Sequence, residues 1–367
     1  MLATVHSYAL VGIEAVPVCV EVDLSTGAFP TLVMVGLPDA AVRESRERIV
    51  AALRNQGLRF PDRKITVNLA PAGLRKEGVA FDLPIAIGLL VASGQAPPDH
   101  LSGVVWAGEL SLDGRVRPVR GSLAMAIAER SRAPGPRLLA LPLGNGAEAR
   151  AAEGIRVCEV GTLRDVVRVL FDGSAGAPVP AIPTDGAEGE SCSTTSAPAG
   201  SAPAPFDADM ADVRGQRLAR RAIEIAAAGG HSLLMIGSPG TGKSMLAERL
   251  PGILPPMTQT ERIEATIVHS AAGLLTPGTG LIARRPFRAP HHTISAAGLV
   301  GGGRPPRPGE ASLAHRGVLF LDELPEFHRD ALETLRQPME SGWVSIVRVG
   351  ASLRLPCRFQ LIAAMNP

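Results

Sequence analysis

Two periods of apolar residues alternate along the first 172 residues. Val16 to Leu24 and Thr31 to Val35 show the every-second-residue pattern of half-buried strands, and Lys64 to Ala70 repeats it. Between them, Asp39 to Gln56 sets Val42, Ile49 and Leu53 on one helical face, with Gly57 as a stop. Asp82 reads as the cap of a further helix whose first turn holds Pro84, and Asp113-Gly114 reads as a hairpin turn between Val104–Leu112 and Arg115–Val119. A helix near 121 to 132, strands Arg137–Leu141 and Ile155–Val160, and a helix Thr162–Phe171 complete a mixed α/β pattern.

The pattern lapses from about 173 to 206, where Ala, Pro, Gly, Ser and Thr dominate and few large apolar side chains remain to offset the entropy of ordering. A flexible linker is expected there, dividing residues 1–172 from a second domain at 207–367. In that domain Asp212 to Gln216 leads a helix through Ala228, which Gly229-Gly230 ends. His231–Ile236 is an apolar run of strand length, and Gly317–Leu321 is a second one ending in Asp322-Glu323. A helix around His328 to Ser341, a hairpin Trp343–Leu355 and a strand Arg358–Met365 follow. That last strand is expected to leave an uncovered sheet edge and to mark a truncated chain.

The stretch Gly237-Ser238-Pro239-Gly240-Thr241-Gly242-Lys243-Ser244, set between a strand and a helix-prone run, fits the Walker A pattern. Its glycines let free backbone N–H groups and a helix N-terminus approach a polyphosphate. Lys243 is one of only three lysines among 37 basic residues, and a planar guanidinium does not replace a compact ammonium inside such a loop. In this reading Lys243 contacts the β- and γ-phosphates of ATP, and Ser244 and Asp322 hold Mg²⁺. Glu323 polarises the attacking water, and Asn366 orients it or senses the γ-phosphate.

Other chemistry is set by smaller clusters. Arg284, Arg285, Arg288, Arg304 and Arg307 occur with no acidic residue before Glu310, interleaved with Gly, Pro and Phe287, as in a loop that grips a phosphate backbone or pairs with neighbouring subunits. Arg348 and Arg354 flank the tip of the 343–355 hairpin as further candidate contacts, and Arg336 is a candidate arginine finger. His291-His292 is read as structural, because neighbours on an extended segment point opposite ways and no cysteine or carboxylate lies at ligand spacing. No metal beyond Mg²⁺ is expected.

Bulk properties narrow the setting. The apolar share of 46% over 367 residues supports two cores, and a net charge of +2 is too small to argue for nucleic acid without a local patch. Cys19, Cys158, Cys192 and Cys357 have no metal-binding or disulfide-framework spacing, and no apolar run reaches the roughly 18 residues of a spanning helix. A cytoplasmic protein without a membrane partner is expected.

The Walker A loop, Arg285-Pro286-Phe287-Arg288-Ala289-Pro290-His291-His292-Thr293-Ile294-Ser295, the acidic strand with Leu324-Pro325-Glu326-Phe327, and Ala363-Ala364-Met365-Asn366-Pro367 together resemble the YifB/ComM magnesium-chelatase-like AAA+ ATPases. The resemblance implies a hexameric homo-oligomeric ring. For ComM-like members it implies a helicase acting on single-stranded or branched DNA, driving branch migration as DNA is integrated during natural transformation. The alternative is a magnesium-chelatase-like motor that remodels a protein partner.

The first domain is similar to the Lon-protease catalytic domain, an α+β fold like ribosomal protein S5, through Lys76–Asp82 and Gly108–Val116. It departs from Lon where Ala80 replaces the nucleophilic serine and where Pro118–Ala128 holds no lysine, so proteolysis is not expected. Family members continue from the asparagine into a helical lid with a sensor arginine. The 367 residues alone are therefore expected to bind ATP weakly and hydrolyse it poorly, from a P-loop AAA+ α/β core lacking its lid.

Overall fold

The computed structural model describes residues 1–25, 31–132, 135, 137–172, 209–303, 306–348 and 351–367. The expected linker, Cys192 and Arg304 lie outside the described residues. Alternating strands Leu2–Val11 and Glu14–Ser25 pair antiparallel in full register from Leu2↔Asp23 to Val11↔Glu14. They occupy the middle of a seven-stranded sheet in the order Thr31–Val35, Lys64–Ala70, Glu14–Ser25, Leu2–Val11, Val104–Trp106, Leu138–Pro142, Val157–Val160. One face carries helix Ala40–Asn55, whose Val42, Ile49, Ala52 and Leu53 are buried, and helix Asp82–Ala92, whose every residue is buried. The other face packs helix Ser122–Arg130.

Two details of the first domain differ from the sequence reading. Asp82 is the first residue of its helix and caps nothing; its carboxylate takes a bidentate ion pair from Arg48, at 2.7 and 2.9 Å. Burial raises the Asp82 carboxyl above its ordinary range, and the Arg48 guanidinium opposes that shift. The run Val104–Leu112 also splits: Val104–Trp106 joins the large sheet, while Glu109–Leu110 forms a separate small hairpin with Val116–Arg117 around Asp113-Gly114.

In the second domain four parallel strands stand in the order Leu233–Ile236, Gln360–Met365, Val318–Leu321, Phe287–Arg288. The strand expected to form an uncovered edge is thus interior, hydrogen-bonded on both sides. The outer strands are Leu233–Ile236 and Phe287–Arg288, and Leu234 and Ile236 are exposed. The apolar sequence of Gln360–Met365 fits the interior place, since Ile362, Ala363 and Ala364 face covered surfaces. The predicted helix over 328–341 is instead two short helices, Arg329–Glu333 and Arg336–Ser341.

The two domains touch through buried polar contacts and a hairpin. Helix Gln259–Ala272 carries Ser270, 3% exposed, which accepts the Gly121 N–H at 2.9 Å and donates to Glu148. The Gly278 N–H donates to the Gly144 carbonyl at 2.7 Å. Leu353, on the hairpin of Trp343–Arg348 and Ala351–Pro356, seats so tightly on the first β-turn that a Cβ at Gly12 would lie 1.9 Å from its Cδ1.

Candidate functional site

The sheet delivers its chemistry at the carboxyl ends of its parallel strands, where an open α/β sheet presents ligands to its loops. Strand Leu233–Ile236 ends at Gly237, and the chain turns into helix Lys243–Ile253 through Gly240 and Gly242 at φ 78° and 83°. Any other L-residue there costs about 1 kcal/mol or more of backbone strain. The first intrahelical bond runs from the Leu246 N–H to the Gly242 carbonyl, which leaves the amides of Lys243, Ser244 and Met245 without helical acceptors. Those amides and the helix dipole form an anion cradle.

Lys243 lies over this cradle. Its ammonium donates to the carbonyls of Gly237 and Ser238, at 2.6 and 3.0 Å, and to Asn366 Oδ1 at 3.0 Å. Three donors meet three acceptors, so the charge is held at the loop and is matched by weak partners that a phosphate oxygen outcompetes. Asn366 reaches it because its strand lies between the strand before the loop and the acidic strand, with Ile236↔Met365 and Leu321↔Ala363 in register.

Across Asn366, Ser244 Oγ donates to Asp322 Oδ2 at 2.5 Å, and Asp322 Oδ1 accepts the Glu323 N–H at 2.9 Å. These are hard oxygen donors, one hydroxyl and one carboxylate, beside the anion cradle. That set fits Mg²⁺, which is held by one or two protein oxygens together with phosphates and water. Among the described residues no cluster of three or more His, Cys, Asp or Glu forms an all-protein cage.

Glu323 has φ of 52°, a left-handed conformation uncommon for a side-chain-bearing residue, and its side chain is 55% exposed. His292 Nδ1 meets its Oε2 at 3.2 Å. The histidine pair therefore departs from the sequence reading. Ile294 N–H closes a turn onto the His291 carbonyl at 3.0 Å, which brings the two imidazoles to 4.1 Å between centroids instead of sending them to opposite sides. His292 also packs edge-on to Phe327, at 6.5 Å.

The candidate phosphate-backbone arginines separate into groups. Arg285 donates to the carbonyls of Pro255 and Arg316, both at 2.7 Å, and pairs with Glu261 at 3.2 Å; its side chain is 16% exposed. Arg288 makes a bidentate pair with Glu310, at 2.6 and 2.8 Å. Both are internal braces, because the carboxylates missing from the local sequence arrive from Glu261 and Glu310. Arg284 lines a cleft of about 890 Å³ beside helix Lys243–Ile253, together with Glu248, Arg285 and Arg288. Arg307 is exposed, and Arg354 lies 4.3 Å over the Trp343 ring. The Arg348 side chain lies outside the described residues. Arg336 is on the surface with Glu333 and Glu340, at 3.6 and 3.7 Å.

Comparison with known proteins places this geometry. A family profile described as Magnesium chelatase, subunit ChlI, matches residues 209–367, and one described as Subunit ChlI of Mg-chelatase matches residues 20–142. The chain is 46% identical over 368 residues to the Competence protein ComM of Haemophilus influenzae, covering 100% of this chain and 69% of that protein. It is 44% identical over 368 residues to the Uncharacterized protein YifB of Salmonella typhimurium, covering 100% and 68%. The chain belongs to the YifB/ComM family of magnesium-chelatase-like AAA+ ATPases. A more distant likeness, 30% identity over 155 residues, joins this YifB/ComM chain to the Magnesium-chelatase 38 kDa subunit of Acidiphilium rubrum, covering 37% of this chain and 45% of that subunit.

Two residues at the site hold contacts that the sequence reading did not assign. Gln216, left-handed at φ 50° at the start of helix Arg217–Gly229, donates to the Thr241 carbonyl at 3.1 Å and so ties that helix to the phosphate loop. His292 is the other, and strand register is the signal that finds it. Phe287–Arg288 runs parallel to Val318–Leu321 with Arg288↔Leu319, so His292 and Glu323, each four residues on, come abreast past the strand ends. In the first domain Ala80 has no hydroxyl to activate, and its carbonyl accepts the Gly108 N–H at 3.0 Å.

Proposed function

We propose that this chain is the ATP-hydrolysing part of a ComM-type DNA motor: a cytoplasmic branch-migration helicase, acting as a hexameric ring on single-stranded or branched DNA during its integration. The observation that carries the proposal is the convergence of Lys243, Ser244, Asp322, Glu323 and Asn366 at one end of a parallel sheet. The DNA reading draws support from the 46% identity to a protein named for competence. It draws further support from the positions of Arg284, Arg307 and Arg354 on exposed surface.

The chain's own groups divide the work. The amides of the loop and Lys243 bind and orient the phosphates, and Ser244 and Asp322 hold the cation. Mg²⁺, when bound, would neutralise charge on the phosphate oxygens and so lower the repulsion that they offer to the oxygen of the attacking water. Glu323 accepts a proton from that water, and Asn366 moves its amide from Lys243 to the γ-phosphate or the nucleophile.

A second reading, remodelling of a protein partner, is favoured by one observation: Arg285 and Arg288 are committed to internal carboxylates and leave fewer cations for a nucleic acid. ATPase measured with and without branched or single-stranded DNA separates the two. The DNA motor requires stimulation and binding that weaken steeply with salt, because each neutralised phosphate releases counterions. Absence of both, with Lys243→Ala-sensitive turnover intact, leaves the protein-remodelling reading.

A further inference from the structure

We propose that a pocket in the first domain, bounded by His6, Cys19, Arg132 and Arg137, binds the phosphate group of a small phosphorylated molecule. It is a second anion site, carried by a different domain from the ATP cradle. Three observations support it.

The first is how the sheet and one helix enclose the space. Strand register sets Ala70, Cys19, His6 and Val105 in one row across four adjacent strands, so their side chains share a face. Helix Ser122–Arg130 packs on that face over Tyr8 and Val105. Glu129 in its last turn, Arg132 just beyond it and Arg137 ahead of strand Leu138–Pro142 then close a pocket of about 280 Å³. One water takes up roughly 30 Å³, so there is room for more than a bare oxyanion. Pro17 and Pro71 give the rest an apolar wall.

The second is the charge balance, two guanidiniums against one carboxylate. Glu129 is fully buried and both its oxygens are taken: Oε2 accepts the Tyr8 hydroxyl at 2.7 Å and Oε1 the backbone N–H of Arg137 at 2.9 Å. Arg132 reaches that carboxylate only at 3.9 Å. The Arg137 guanidinium has no hydrogen-bond or ion-pair partner among the described residues. One positive charge is left over in a half-enclosed space, where it has lost water that no protein group replaces.

The third is that this charge is felt inside the pocket. Burial, and then the charges of Arg137 and Arg132, push the His6 imidazole below its ordinary value, so it stays neutral near pH 7 and offers one N–H. Burial and Glu21 raise the Cys19 thiol, and Arg137 opposes them. A phosphate monoester presents several oxygens and up to two negative charges to both guanidinium forks and the imidazole N–H together, which a carboxylate does not.

The test uses the whole chain carrying Lys243→Ala, which disables the ATP cradle. Titration calorimetry with ribose 5-phosphate is expected to show saturable binding at one molecule per chain, with inorganic phosphate competing. Adding Arg137→Ala is expected to weaken that binding roughly tenfold or more and to leave urea unfolding unchanged, because the guanidinium holds nothing in the fold. Ribose 5-phosphate should also slow alkylation of Cys19 by iodoacetamide, followed by peptide mass spectrometry, while Cys158, half-buried outside the pocket, keeps its rate. Absence of binding overturns the proposal, as does binding that survives Arg137→Ala, equal competition by acetate at matched ionic strength, or equal protection of both cysteines. Displacement of ribose 5-phosphate by a short oligodeoxynucleotide at micromolar concentration assigns the pocket to a nucleic-acid backbone and overturns the small-molecule reading.

Discussion

His315 makes the second domain acid-sensitive in a way that can be measured against a single substitution. It is 2% exposed, accepts the Arg358 N–H at Nδ1 at 3.1 Å, and meets Glu264 through Nε2 at 3.2 Å. Burial is the main reason its pKa falls from 6.5 to about 4, with Glu264 opposing and Arg316 and Arg358 assisting. The unfolded chain thus binds a proton that the folded chain refuses between these values. Stability is complete above 6.5 and is lost as pH falls toward 4. Linkage puts the His315 contribution to that loss at about 2 kcal/mol by about pH 5 and about 3 kcal/mol by about pH 4. The Glu264 carboxyl, held below its ordinary value mainly by Arg316 against the cost of burial, loses stability at the lower end of the same range.

The assay is urea denaturation of wild type and His315→Asn at several pH values from about 7.5 downward, with the slope against pH as the readout. Asparagine can still accept the Arg358 N–H but does not titrate. Its curve should therefore be flatter, by about 2 kcal/mol near pH 5. Parallel curves would refute the assignment of acid sensitivity to this buried imidazole. The consequence reaches the site, since Arg316 and Gly317 lead directly into the strand that ends at Asp322 and Glu323.

Three further outcomes are expected. Glu323→Gln should retain ATP binding by fluorescent-nucleotide titration while lowering turnover by at least about 100-fold, because the amide cannot accept the proton from water. Arg288→Ala should cost about 1–2 kcal/mol in denaturant unfolding by stranding Glu310, whereas Arg307→Ala should leave stability unchanged and reduce the salt slope of DNA binding by about one. Glu148→Ala should destabilise the domain contact by about 2 kcal/mol, detected as earlier proteolysis between the domains, since the Ser270 hydroxyl loses the charged acceptor that it reaches in the first domain.

Local chemistry was legible in the sequence wherever the decision is local. The phosphate loop depends on φ-permissive glycines, one ammonium and one hydroxyl within eight residues, all fixed by neighbours in the chain. The strands Thr31–Val35 and Lys64–Ala70 emerge with the bounds that their alternation predicts. The helix Ala40–Asn55 is likewise flanked by Asp39 and Gln56 as caps, with the Asp39 carboxylate accepting the Val42 N–H at 2.8 Å.

Tertiary structure alone decided which charges are spoken for and which strand stands in the middle. Arg285 and Arg288 look unpaired along the chain, and only folding brings Glu261 and Glu310 within ion-pair distance. Gln360–Met365 comes last in sequence yet lies between two earlier strands, and that placement sets Asn366 between the lysine and the acidic residues. Parallel neighbours kept in step then bring His292 to Glu323 across 31 residues of sequence. By itself the sequence determined that this protein carries a phosphate cradle with an acidic partner strand. The packing of distant segments decided what holds each of those groups before nucleotide arrives, because hydrogen bonds and ion pairs depend on distance in space, to which separation along the chain is only a loose guide.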